Sequence, residues 1–206
     1  MARAATEGMA SGAEGYLVCE WGDMGHMQHR ALMLRRLADG AQAAWTGSAY
    51  PADPRAVSLH VFKDDSLRIA GWLDELGEID GDLRRSAHAN YSPEPSSRGI
   101  KNATAIFNDL FPPVPVPETS GSGTSVGRAV DAPIDAWERV RENLSALPLD
   151  VLDYGDPLQQ RELIHTVAFA RFAAEHAIAW RIEDVAARTK RLRELVKPAE
   201  DLLMEH

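Results

Sequence analysis

Cysteine is almost missing from this chain. Of its 206 residues only Cys19 is one, which excludes an intramolecular disulfide and fits a reducing compartment such as the cytoplasm. Long apolar runs are missing too. The most hydrophobic stretch, IHTVAFARFAAEHAIAW, is cut by Arg171 and by the Glu175–His176 pair, so no membrane insertion is expected. The opening MARAATEGMASGAEGYLVCE lacks a basic start followed by a long apolar core, and no secretory leader is expected. Basic charge is also in deficit. The net charge is −9, with eleven acidic against seven basic side chains over 51–118 and seven against two over 131–160. Such a surface repels a phosphate backbone, so nucleic acid is an unlikely partner by charge alone. What remains, with 45% apolar and 26% charged residues, is an ordinary globular composition long enough to bury a core without a structural metal.

The last absence is the most informative. From Asp156 to His206 there is no glycine, and the only prolines are Pro157 and Pro198. Between them the composition and period are strongly helical. Asp156 followed by Pro157 is a capping residue before a first-turn proline. The first half of this stretch, 158–180, is apolar around most of its circumference and reads as a core helix. In the second half Ile182, Val185, Thr189, Leu192, Val196, Ala199 and Leu203 recur at alternating spacings of three and four, a heptad-like seam for packing against another helix. One unbroken helix here would be about 70 Å long. The stretch is therefore either a long helix that reaches a partner or a helical hairpin, and the lack of a turn residue near Trp180–Glu183 favours length.

Upstream, residues 1–14 are small and polar and read as a flexible N-terminus. GYLVCEW is compatible with a short strand. Met27, Ala31, Leu34, Ala38, Ala41 and Trp45 mark a helix face, with Gly40 as a place where that helix can stop and restart. AVSLHVF, 56–62, alternates like a strand. Asp64 or Asp65 can cap a helix whose stripe is Ile69, Trp72, Leu73 and Leu76 and whose stop is Gly77. Residues 77–99 read as a long irregular connection, and 101–111 as a short helix. FPPVPVPE then imposes an extended arm on Pro113, Pro115 and Pro117, and TSGSGTSVG is flexible by composition. After it Ile134, Trp137, Val140 or Arg141, and Leu144 mark another helix, entered through Asp131 and Pro133. The predicted fold class is mainly α, with α+β as its upper bound. It comprises a helix-rich domain over 15–111 with one or two short strands, a Pro/Gly/Ser-rich arm or hinge at 112–130, and a helical region at 131–206 that completes the core and contributes to assembly.

Chemistry-bearing groups are sparse. Glu162 and His165 share a helical face and could offer a carboxylate and an imidazole to one zinc or iron ion. His176, three turns further on, is too far to join them, and a hydrogen-bonded core histidine is the plainer account of each. Cys19, His26 and His29 form a loose Cys/His set for zinc, or a thiol with a neighbouring base, but a helix start disfavours a cation. Asp150, Asp153 and Asp156, like Glu78, Asp80 and Asp82, match no calcium loop and are better explained by capping and solvation. GSGTSVGR lacks the lysine that a phosphate-cradling loop requires. Arg188, Lys190, Arg191, Arg193 and Lys197 form a basic cluster diluted by Glu183, Asp184 and Glu194, so a solvated helix face explains it better than a nucleic-acid site.

Three functional classes follow. The first is a non-enzymatic assembly or accessory subunit, a homo-oligomer or part of a larger assembly, that needs no cofactor. Its expected contacts are Ile182, Val185, Leu192, Val196 and Leu203 together with Pro113, Pro115 and Pro117. A metal-dependent enzyme built on Glu/His or Cys/His ligands is the alternative, and a nucleic-acid-associated regulator ranks third.

Overall fold

The fold is that of a computed structural model which describes residues 2–18, 29–47, 50–86, 105–110 and 132–205. These residues form eight α-helices: α1 (Ala2–Ala10), α2 (Ala31–Thr46), α3 (Pro54–Val61), α4 (Ile69–Ser86), α5 (Ile134–Ala146), α6 (Pro157–Trp180), α7 (Val185–Glu194) and α8 (Val196–Glu205). Short 3₁₀ turns occupy Ala105–Leu110 and Leu149–Tyr154. No strand occurs among the described residues, so the chain is all-helical there. The residues fall into two compact units. One lies within Met1–Gly22, Gln28–Glu75 and Pro148–Ile164, the other within Leu76–Leu147 and His165–His206.

Several sequence expectations change in the first unit. The supposedly frayed N-terminus is helix α1, which packs on α2. AVSLHVF is not a strand. Asp53 accepts a hydrogen bond from the Arg55 amide at 3.0 Å and Pro54 begins the helix, so a local start signal overrides the alternation. The buried positions Val57, Ser58 and Phe62 follow a helical, not a two-residue, period. In α2 the buried row is Ala31, Arg35, Asp39 and Ala43, one step away from the apolar stripe, and Trp45 stands 91% exposed. The helix also runs unbroken through Gly40. An apolar scan misses this face because its middle is an ion pair. Arg35 bonds Asp39 and reaches Asp74 at 3.1 Å, while Asp39 accepts the Ala52 amide at 3.0 Å. Two buried charges and a loop amide thus satisfy one another.

Gly47 ends α2 at φ 64, a left-handed conformation that a β-carbon would strain. Between α3 and α4, Lys63 and Leu67 both take left-handed backbone conformations, each costing on the order of 1–2 kcal/mol. The buried Asp64 carboxylate holds that turn. It accepts from the amides of Ser66 (2.8 Å), Arg68 (2.7 Å) and Ile69 (2.9 Å). Ser58 accepts the next amide, Ala70, at 2.9 Å. At the start of α6 Asp156 accepts from the Leu158 and Gln159 amides at 2.9 and 3.1 Å, as its place before Pro157 implied.

In α4 the expected stripe Ile69, Trp72, Leu73 and Leu76 is buried. Gly77 does not end that helix, which continues through Gly81 to Ser86 with Ile79 and Leu83 buried in the second unit. Asp80 accepts the Ile106 amide at 3.0 Å and so fixes the 3₁₀ turn that plugs Ile106 and Phe107 into this unit's core. In α5 Trp137, Val140 and Leu144 are buried as expected, while Ile134 is exposed and Ala136 takes the inner place. Arg171 donates twice to the Leu144 carbonyl, at 2.7 and 3.1 Å, and so caps the last turn of α5.

The C-terminal stretch is a hairpin, not one rod. The chain leaves helical geometry at Arg181–Asp184, and Asp184 caps α7 by accepting the Ala187 amide at 2.7 Å. It then returns along α6. Arg191 bonds Glu175 at 2.8 Å, and His165 lies 2.9 Å from the Leu202 carbonyl oxygen. Both pairs are centred on the Glu183–Asp184 step, which is the register of an antiparallel hairpin. No glycine is needed because the turn is made with ordinary backbone angles and an aspartate cap.

Candidate functional site

The α7–α8 arm and the α6 face beneath it bring together most of the residues singled out in the second unit. On α6 five rings follow one another at helical spacing: His165, Phe169, Phe172, His176 and Trp180. Successive centroids are 6.1, 6.1, 6.3 and 6.3 Å apart. Phe107 tilts onto Phe169 at 5.6 Å, and Arg188 of α7 lies 5.9 Å over the Trp180 ring. Each ring covers its neighbour, so the face presents apolar surface with polar ring edges. The row was visible in the sequence as aromatic and imidazole residues at alternating spacings of about four. It is hidden in a hydrophobicity scan because both histidines score as polar.

The two histidines belong to this packing face. His165 is buried, and facing a carbonyl its Nε2 must carry the proton. Glu162 is engaged elsewhere: it accepts the Ala31 amide at 3.1 Å and so supplies the acceptor and negative charge that the uncapped start of α2 lacks. The Glu-x-x-His spacing therefore serves two separate packing tasks. His29 lies two residues before α2, whereas Cys19 and His26 lie outside the described residues, as do Pro113, Pro115 and Pro117. Among the described residues no group of three or more His, Cys, Asp or Glu side chains is placed to hold a metal ion. Among them, too, no helix is long and apolar enough to cross a membrane.

The heptad seam divides between two faces. Ile182, Leu192, Leu195, Ala199 and Leu202 are half-buried or buried toward the arm's inner side, where Arg191 and Leu202 meet α6. Val185, Thr189, Val196 and Leu203 are exposed, with Met204 beside them at 87%. The inward positions Arg188, Leu192, Leu195, Ala199 and Leu202 keep spacings of four and three across Leu195, so the two faces continue from α7 into α8. On α7 the outward surface is a shallow groove lined by Val185, Ala186, Thr189, Lys190, Arg193 and Glu194. Trp180 at the turn is 57% exposed, against the core position expected of it.

The basic cluster is largely tied down. Arg191 bonds both Glu175 and Glu194, and these carboxylates hold its pKa above the ordinary guanidinium value. Lys197 bonds Asp201 at 2.6 Å, and Arg188 covers Trp180. Of the five, Arg188, Lys190 and Arg193 make no ion pair among the described residues, and of these Arg188 is held over the Trp180 ring. Comparison of the chain with family models, curated proteins and solved structures finds no match.

Proposed function

We propose that this chain is a non-enzymatic assembly or accessory subunit, working in the cytoplasm, which acts through protein–protein contacts made by the outward face of α7–α8. The observation that carries this reading is the row Val185, Val196, Leu203 and Met204, which is 54–87% exposed along one helical arm. Scattered surface apolar residues need no explanation, but with Thr189 included Val185, Val196 and Leu203 recur at four, seven and seven on one face, the pattern of an interhelical contact, with Met204 beside them. The arm's inner side already holds it on α6, so the outer row is surplus to the fold. The segment with Pro113, Pro115 and Pro117 is a second contact in this proposal.

The test is photo-crosslinking in cells that produce the protein. A photoreactive residue at Val185 or Leu203 is expected to give discrete protein adducts, and one at Arg55 on α3 is expected to give none. Absence of adducts from both arm positions would overturn the reading.

A further inference from the structure

The outward face of the arm is polarised. On α7 its unpaired charges are Lys190 and Arg193, and on α8 Lys197 and Asp201 neutralise each other and leave Glu200 and, at the helix end, Glu205. Lys190 and Glu200 each lie five residues from Leu195, one on either side. Val185–Ala186 and Leu203–Met204 lie eight to ten residues out on the same two sides, and Val196 sits at the centre. The helical path hardly breaks at Leu195: its amide bonds the Leu192 carbonyl at 3.2 Å and its carbonyl accepts the Ala199 amide at 3.0 Å. The arm therefore offers a strip about 30 Å long that is apolar at its middle and ends, basic on one half and acidic on the other.

We propose that the occupant of this face is a second copy of the same chain, its arm laid antiparallel so that α7 of each protomer runs along α8 of the other. This rests on the reading of the arm as the contact surface and names its partner. A two-fold axis at Leu195 sets Lys190 against Glu200 twice, sets Ala186 against Met204 at both ends with Val185 and Leu203 flanking them, and places the two Val196 residues side by side at the axis; Arg193 comes opposite Lys197, whose charge Asp201 neutralises. That is the self-complementarity an isologous dimer requires. A parallel pairing would set Lys190 on Lys190 and Glu200 on Glu200, and like charges reject it. The strip is narrow, on the order of 1,000 Å² in total, at the lower limit for a specific interface, so the dimer is concentration-dependent.

Sedimentation velocity on the full chain at about 1–100 μM tests this, the range in which an interface of that size dissociates. Three proteins are compared: the wild type, Lys190→Glu, and Glu200→Lys. All substituted positions are exposed, so the variants keep the fold, which circular dichroism verifies. The wild type is expected to dimerise, each variant alone to dimerise at least about tenfold more weakly, and their equimolar mixture to recover the dimer through the restored Lys/Glu pairing. A wild type that stays monomeric overturns the inference, as do variants that dimerise unchanged or a mixture that recovers nothing. If the wild type is monomeric while arm crosslinks in cells are heteromeric, the partner named here is wrong and the arm remains a contact surface. If no arm crosslinks form, the underlying reading falls.

Discussion

His165 reaches the carbonyl oxygen of Leu202 across 37 residues of sequence, with Nε2 and O 2.9 Å apart. Leu202 is in the last turn of α8, where carbonyls lack a full set of intrahelical donors. A core helix thus caps the end of the arm that folds back on it. Replacing His165 by leucine keeps much of the apolar packing and removes the donor. The expected cost is about 1 kcal/mol. Hydrogen exchange should show faster exchange in 196–205 with α5 unchanged. Equal protection of α8 in both proteins would deny the cap its role.

Arg35 is 4% exposed, and burial opposes its charge, but the hydrogen bonds to Asp74 and Asp39 more than offset this and hold its pKa above the usual value. Arg35→Leu leaves Asp39 charged and buried, and should destabilise the fold by about 3–5 kcal/mol in urea denaturation. Arg36→Leu removes only the exposed partner of the same carboxylate and should cost less than about 1 kcal/mol. Equal losses from the two variants would mean that the buried pair has no special weight.

What was legible in the sequence was periodicity filled with apolar side chains. The stripe Ile69–Trp72–Leu73–Leu76, the α5 face through Trp137 and Leu144, and the capped start of α6 at Asp156 were all readable, because there the local signal and the burial agree. The failures have three causes. In α2 the buried face is polar, in α3 a proline and a capping aspartate outvote β-branched alternation, and at Gly77 packing of Leu76 and Ile79 carries the helix across a nominal stop. The ring row on α6 escaped because two of its five members are histidines. The heptad in 182–203 was seen, but which of its members face inward depends on the contacts with Glu175 and His165, which no local pattern contains.

Asp64 carries a pH dependence with a defined sign. Burial alone would raise its pKa, but hydrogen bonds from Ser66 and from the Ile69 and Arg68 amides lower it below the ordinary 3.8. A carboxylate depressed in the folded state stabilises the fold fully above its unfolded pKa, and that stabilisation disappears as pH falls through the lower, folded value. Asp64→Asn should therefore be less stable than the wild type at pH 7 by about 1–2 kcal/mol, having lost charge-assisted acceptance at a turn with two left-handed residues. Urea midpoints measured from pH 7 to below pH 3 should converge as the wild-type carboxylate protonates. A gap that stays constant down to the lowest pH would show that the charge of Asp64 is not what holds the α3–α4 turn.

Glu175 is the second anchor of the arm and differs in kind from His165. It takes Arg191 at 2.8 Å and has Arg141 of α5 at 3.8 Å, and its side chain is 28% exposed. A half-exposed ion pair of this sort contributes about 0.5–1 kcal/mol, and salt weakens it. Glu175→Gln should raise exchange in 185–194 at low salt and approach wild-type behaviour at about 0.5 M salt, where the pair is screened in both proteins. The His165 cap is short-ranged and should not respond in this way. The two anchors hold opposite ends of one arm, so His165→Leu/Glu175→Gln should loosen all of 185–205 by more than either change alone, because each single variant keeps one end docked. Strictly separate effects, α8 alone responding to His165 and α7 alone to Glu175 with nothing further in the double variant, would mean that Leu195 acts as a joint and not as part of a continuous helical arm.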